Sequence, residues 1–247
     1  MKTYDCTFIW DINPDMVMLS GAGLPELGME KFADAFYMVL GGSTGICAGV
    51  LGSFGTRANF YGFLGDDMLG DYCLRTLRQC GVDTTHILQL PGKSTSTTIS
   101  IATPGDRALI TCNGDGCAAI TAEDVPFDLL DDTRHIHTGS FFIQHEQMPV
   151  YRDLFREARR RGVSTSLDAG YSPTGRWEHG ICGLLPFVDF FFPNETEALA
   201  ITGESTVEKA ARRLAEYCGA AVIKRGAEGA VLCSGDEFVS CAALDGY

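Results

Sequence analysis

The stretch from Asp189 to Gly203, DFFFPNETEALAITG, runs a short aromatic segment through Pro193 into Asn194, Glu195 and Glu197. A strand that gives way to oxygen-bearing side chains at the mouth of a helix is where open α/β sheets place their ligands. Gly203, just past the apolar stretch, suits the left-handed residue that ends a helix. The stretch therefore reads as strand, site and helix in that order, and predicts an α/β fold.

The same alternation extends along the chain. Short apolar or β-branched runs predict strands at 6–11, 59–63, 134–137, 163–167, 188–192 and 221–223. Helix-period stretches predict helices at 45–51, 68–80, 146–161, 195–201 and 207–218. One region departs from this pattern. HILQLPGKSTSTTISIATPGDRALITCNGDG, residues 86–116, is rich in Thr, Ile and Ser and is broken by Pro-Gly turns, which predicts an antiparallel hairpin set forming a small lid, with residues 33–40 as a second contributor. The expected organisation is one α/β domain over residues 1–247, built as a Rossmann-like three-layer sandwich with a small β-strand lid.

Composition narrows the function classes. With 45% hydrophobic residues in 247, the chain is long enough for a sizeable core. Nineteen Lys and Arg against 32 Asp and Glu leave a net charge of −13, which repels nucleic acid and anionic membranes. The densest basic run, REARRRG at 156–162, reads as the solvated C-terminal end of a helix, where positive charge suits the dipole. The ten cysteines show no C-x-x-C pair, and the N-terminus reads as a strand rather than a signal peptide, so a reduced, cytoplasmic protein is expected. No apolar run approaches the roughly 20 residues of a membrane span.

Two phosphate-loop patterns fail on inspection. GAGLPELG at 21–28 places Glu26 where a dinucleotide fingerprint needs its third glycine, and Pro25 interrupts it. PGKSTS has Ile87 where a P-loop needs its first glycine, and it lies within hairpin sequence. A nicotinamide-dependent oxidoreductase is disfavoured on the first count.

Four stretches carry chemistry. DINPDMV delivers Asn13 and Asp15 at the end of the opening strand, where a carboxylate can accept hydrogen bonds from neighbouring sugar hydroxyls; the same acid could equally serve a turn. GGSTGICAGVLGSFG, 41–55, is a Gly-Gly turn leading into a small-residue helix, which allows close backbone approach or simply tight packing. GFLGDDMLGDYCLRTLRQCGVDT, 62–84, caps a helix with Gly65, Asp66 and Asp67. NETE is followed by VIKRGAEGAV, in which Lys224 and Gly226 trail another strand.

In order and spacing these stretches resemble the ribokinase-like sugar kinases, the PfkB carbohydrate kinase family, over almost the whole chain. The resemblance implies a ribokinase-like fold and transfer of the ATP γ-phosphoryl group, with Mg2+, to a hydroxymethyl group of a sugar or nucleoside-like acceptor. It places Asn13, Asp15, Gly41 and Gly42 at the acceptor, Asn194, Lys224 and Gly226 at the nucleotide, and Asn194 with Glu197 at the metal. Mg2+ takes oxygen ligands and keeps several waters, so one amide and one carboxylate suffice. Glu195 is expected to be a first-turn helix acid.

The chain departs from the family pattern at three places. Ile46 stands where the family usually has a sugar-binding Asn. The D-x-N-x-R segment becomes DAGYSPTGRW, with Gly170 for Asn and Arg176 displaced. The G-A-G-D segment, whose Asp is the family's catalytic base, does not occur before Tyr247, so the catalytic residue is unassigned and the 247-residue chain is expected to be inactive. An incomplete kinase and a non-catalytic sugar-binding or regulatory relative both account for this. Exposed lid edges suggest a homodimer paired through the lid. His135 and His137 share a strand face but lack a third metal ligand nearby, so they read as strand residues. His145 lies in FFIQHEQ, 141–147, which reads as a loop leading into a helix on the acceptor side, where it could touch substrate. The sequence does not name the sugar.

Overall fold

The computed structural model describes residues 2–115, 124, 127–177 and 180–244, without the side chain of His145. The chain divides into two units, Phe8–Ile120 on one side and Met1–Thr7 with Thr121–Tyr247 on the other. Strand β1 (Cys6–Ile9) is buried along its length and runs from one unit into the other.

In the unit Phe8–Ile120 the chain forms β2 (Asn13–Leu19), β3 (Ala35–Gly41), α1 (Ser43–Ser53), β4 (Ala58–Gly65), α2 (Met68–Gln79), β5 (Asp83–Leu90), β6 (Thr97–Ala102) and β7 (Arg107–Cys112). β4 and β5 pair in parallel. β2, β3, β6 and β7 make a separate four-stranded sheet in the order β3-β2-β6-β7, in which β2 pairs antiparallel with β3 and parallel with β6, and β6 pairs antiparallel with β7. Helix α2 buries Cys73, Leu74 and Leu77, one helical stripe, and leaves its charged positions to solvent.

In this unit the strand assignments differ from the sequence expectation. Asn13 and Asp15 do not end the opening strand; they begin β2, because Trp10 and Asp11 both adopt left-handed backbone (φ 58° and 52°) and turn the chain out of β1. Residues 86–90 belong to β5, paired with β4, rather than to an antiparallel hairpin. The hairpin signal is real only for β6 and β7, and Gly116 lies outside the described residues. The sheet's remaining strands are β2 and β3, and β2 carries no turn-flanked alternation that marks it in sequence.

In the other unit, α3 (Leu129–Asp132), β8 (His135–Thr138), α4 (Met148–Arg160), β9 (Ser164–Leu167), α5 (Ile181–Leu184), β10 (Phe190–Phe191), α6 (Glu195–Thr202), α7 (Val207–Ala215), β11 (Ala220–Lys224), β12 (Ala230–Ser234) and β13 (Glu237–Cys241) follow in turn. β8, β9, β10 and β11 are parallel neighbours, and β12 and β13 extend the sheet antiparallel. Parallel strands covered by helices read as continuous apolar runs, and β11 conforms, with Ala220, Ala221 and Ile223 buried. The expected strand at 188–192 shrinks to Phe190–Phe191, because Pro186 and Pro193 bracket it and proline donates no ladder hydrogen bond.

Helix α4 shows why the layering holds. Val150, Tyr151, Leu154, Phe155 and Ala158 form one buried stripe, while Arg159 and Arg160 close the helix at its negative end. Phe155 is fully buried, and truncation to Ala should cost about 3–5 kcal/mol.

Candidate active site

Within each unit, the residues singled out from sequence gather at strand ends. In the unit Phe8–Ile120, Asn13 is buried and donates from Nδ2 to Asp15 Oδ1 (2.9 Å) and to Thr98 Oγ1 (3.3 Å). Thr98 lies 3.0 Å from Thr111 across the β6–β7 ladder. Asp15 thus sits in a row of amide and hydroxyl groups. Burial raises its pKa, while the Asn13 hydrogen bond, the Arg107 charge and Thr98 act in the opposite direction. The side chains that hydrogen-bond it, Asn13 and Thr98, are neutral, so the carboxylate can still accept hydrogen bonds from a ligand.

Gly41 and Gly42 complete this corner. Gly42 has φ 75°, and a Cβ there would strike the Asp11 carbonyl and approach the Ile12 Cα at 2.9 Å. A Cβ on Gly41 would strike the Asp15 carboxylate and lie 2.9 Å from Asn13 Nδ2. The Gly-Gly pair is therefore required by the close approach of β3's end to the start of β2. Asp11 fastens the same corner: its Oδ2 accepts from the Thr44 backbone N–H (3.2 Å), and its carbonyl accepts from Gly45 N–H (3.1 Å). Ile46 is half-exposed on α1, an apolar group at the position where a polar one was expected.

The GDD stretch has a structural role. Asp67 caps α2 through Gly70 N–H (2.8 Å) and also accepts from the Thr95 N–H and hydroxyl, both at 2.8 Å. Burial pushes its pKa up, but these hydrogen bonds outweigh it and the carboxyl ends below its ordinary value.

The NETE stretch in the other unit is a capping box. Asn194 Oδ1 accepts from Glu197 N–H (2.8 Å), and Glu197 Oε2 accepts from Asn194 N–H (2.7 Å). Asn194 also bridges in parallel to Lys224, which joins the ends of two strands. Glu197 is buried; burial raises its pKa, the Asn194 N–H lowers it, the Asp168 charge raises it and Lys224 lowers it. Gly203 caps α6 with φ 71°, as expected. Glu195 meets Arg225 Nε at 3.1 Å, so this first-turn acid makes an ion pair.

Lys224 forms an ion pair with Asp168 at the end of β9. Asp168 also accepts from Gly170 N–H (3.0 Å). Asp168 escaped the sequence reading, because it lies in the segment whose family pattern is blurred; its position directly after an apolar strand was the available signal. Arg176 is exposed, and its carbonyl accepts from Ser172 Oγ (2.7 Å). Gly226 begins a single 3-10 turn after β11, with φ 55°.

His135 and His137 form a hydroxyl-linked chain rather than a ligand pair. His135 Nδ1 lies 2.7 Å from Ser164 Oγ, its Nε2 lies 2.7 Å from Ser166 Oγ, and His137 Nδ1 lies 2.8 Å from the same hydroxyl. Burial lowers both pKa values to about 4, so both rings are neutral at pH 7. A single Ser166 hydroxyl donates one hydrogen, so at least one of the rings must donate to it.

Could these groups hold Mg2+? Asn194 and Glu197 supply hard oxygen donors, each with acceptor capacity beyond the capping bond, and the buried Glu197 lies in the field of a second carboxylate, Asp168. Among the described residues no group of three or more His, Cys, Asp or Glu could hold a metal by itself. The donor set fits a cation that completes its shell with water and phosphate oxygens.

A model of the pfkB family of carbohydrate kinases matches residues 25–245. The chain belongs to that family. Curated relatives include 2-dehydro-3-deoxygluconokinase from Bacillus subtilis, 25% identical over 221 residues that cover 85% of this chain and 68% of the relative. Another is ATP-dependent 6-phosphofructokinase from Thermoanaerobacterium thermosaccharolyticum, 22% identical over 246 residues that cover 96% of this chain and 74% of the relative. Among solved structures, adenosine kinase from Sinorhizobium meliloti superposes with a TM-score of 0.85 at 24% identity, covering 98% of this chain and 80% of its own. An E. coli protein solved in complex with ATP and Mg2+ gives 0.81 at 22% identity, with 99% and 80% covered. The fold is the ribokinase-like α/β fold that the sequence implied. All nine described cysteines are free thiols, and no helix among the described residues is long and apolar enough to cross a membrane.

Proposed function

We propose that this pfkB-family chain serves ATP-dependent transfer of the γ-phosphoryl group to a hydroxymethyl group of a sugar or sugar-like acceptor. The observation that carries the reading is the Asp15 corner, a half-buried carboxylate in a row with Asn13 and Thr98, backed by a turn in which only glycine fits. In this reading Asp15 and Asn13 hold acceptor hydroxyls, and Gly41 and Gly42 let the acceptor approach the backbone. Asn194, Lys224 and Gly226 border the nucleotide phosphates. Asn194 and Glu197 would hold Mg2+, which supplies charge neutralisation on the phosphates when bound. Asp168 keeps Lys224 oriented until a phosphate competes for it.

Two further parts of the reading stand on different observations. The face of the four-stranded sheet opposite Asp15 exposes Met18, Phe36, Met38, Ile99 and Ile110, an apolar surface suited to pairing with a second copy; a light-scattering mass of one chain would contradict the homodimer. A cytoplasmic location accords with ten cysteines and no bridge among the nine described.

Calorimetry tests the main reading without needing a chemical step. Mg2+-ATP, 2-dehydro-3-deoxygluconate, fructose 6-phosphate, ribose and adenosine are titrated into the 247-residue chain. Binding of one acceptor that weakens in Asp15→Ala is expected. Unchanged acceptor affinity in that variant would refute the assignment.

A further inference from the structure

The four strands β2, β3, β6 and β7 carry two charged residues, Asp15 and Arg107. Strand register places them on one face. Asp15 stands beside Thr98, Thr98 opposes Thr111, and Ala102 opposes Arg107, so the alternating set Thr98, Ser100 and Ala102 shares its face with both Asp15 and Arg107. The opposite face bears Met16, Met18, Ile99, Ile101 and Ile110 and no charge. Here one acid and one base share a face, with Val17 and Leu109 between them.

Spacing decides whether the two can serve one ligand. Four residues along the strand, about 13 Å, and two inter-strand spacings across β6, about 10 Å, separate the Asp15 and Arg107 backbone positions, about 16 Å in all. The arginine side chain covers part of that gap, and its charge reaches the Asp15 carboxyl strongly enough to oppose the effect of burial. Arg107 is exposed and has no ion-pair partner within 4 Å among the described residues; its neighbour Asp106 accepts from the Arg107 backbone N–H at 2.7 Å. Its guanidinium is therefore left with its fork of donors for a planar or tetrahedral oxyanion.

We infer that the acceptor is an anionic sugar whose hydroxyls meet Asp15 and whose carboxylate or phosphate, at the far end, is received by Arg107. This inference rests on the acceptor role of Asp15 proposed above. A neutral sugar would leave Arg107 unused, and an anion placed next to Asp15 would be repelled, so the pair also fixes which end of the acceptor enters first.

The test is a set of matched ligands titrated into the 247-residue chain at low and high salt. The carboxylate arm compares 2-dehydro-3-deoxygluconate with its methyl ester, and the phosphate arm compares fructose 6-phosphate with fructose. One charged member should bind at least about tenfold tighter than its neutral counterpart, the scale of one charge-assisted hydrogen bond. R107Q should erase that preference while leaving the neutral affinity unchanged, and R107K should keep part of it. The arm that shows the preference distinguishes carboxylate from phosphate. Equal binding of charged and neutral members, or a preference that survives in R107Q, overturns the inference. If the preference is missing but Asp15→Asn still weakens a neutral sugar, the anionic acceptor falls and the acceptor role of Asp15 stands. If no ligand binds, both fall.

Discussion

Asp15, near the start of β2, and Glu197, in the first turn of α6, are both acids whose pKa burial raises, yet the protein employs them differently. Glu197 closes a capping box and is part of what holds α6 in place. Asp15 accepts from the Asn13 side chain but supports no helix or turn of its own; its corner is set by the glycine turn and by Asp11. A residue that is structurally employed does two jobs at once. One held in place by its neighbours is left for a ligand.

The largest expected effect sharpens the acceptor side of this comparison. Gly42→Ala puts a Cβ at φ 75° against the Asp11 carbonyl, combining left-handed strain of about 1–2 kcal/mol with overpacking of about 1–3 kcal/mol. Thermal unfolding should register a drop of several degrees. A Tm within a degree of the parent would mean that the turn is not what positions Asp15.

Next in size is a pH effect confined to the unit that holds Glu197. His135 and His137 titrate near 6.5 when unfolded and near 4 when folded. The unfolded chain therefore binds protons first, so stability is full above about pH 6.5 and declines as pH falls towards 4. Either ring could account for up to about 3 kcal/mol, and the coupled pair for less than twice that. His137→Asn should flatten the decline in urea midpoints between pH 6.5 and 4. An unchanged slope would show that the ring is not neutral and buried as described.

The smallest effect concerns the capping box. Glu197→Ala should cost about 1 kcal/mol from the lost cap, with relief of the buried charge offsetting part of it. Glu197→Gln keeps an acceptor for the Asn194 N–H and should unfold close to the parent. Equal destabilisation in both variants would imply that charge, rather than the cap, is what α6 needs.

How much of this was legible beforehand follows from the same contrast. Helices α2, α4 and α6 and strands β8, β9 and β11 are stated by local periodicity and by end signals such as Gly203, so their positions emerge within a few residues. The start of β2 was not legible, because left-handed backbone at Trp10 and Asp11 is imposed by tertiary packing and neither residue announces it. Residues 86–90 resembled hairpin sequence because a short apolar run leading into a Pro-Gly turn looks the same in either sheet until its partner is known. Asn194 and Glu197 stood out as an N-x-x-E pair, but their mutual hydrogen bonds, like the Asp168–Lys224 ion pair, join groups whose meeting depends on the fold.

The central claim is that Asp15 serves the acceptor while Glu197 serves the metal and nucleotide. Calorimetry of Asp15→Asn and Glu197→Gln, each titrated with the tightest-binding acceptor and separately with Mg2+-ATP, tests it most directly. Asp15→Asn should weaken the acceptor by about 10²-fold, the scale of two charge-assisted hydrogen bonds lost in part, and leave Mg2+-ATP unchanged. Glu197→Gln should show the reverse pattern. Loss of the same ligand in both variants, or full acceptor affinity in Asp15→Asn, would contradict the account.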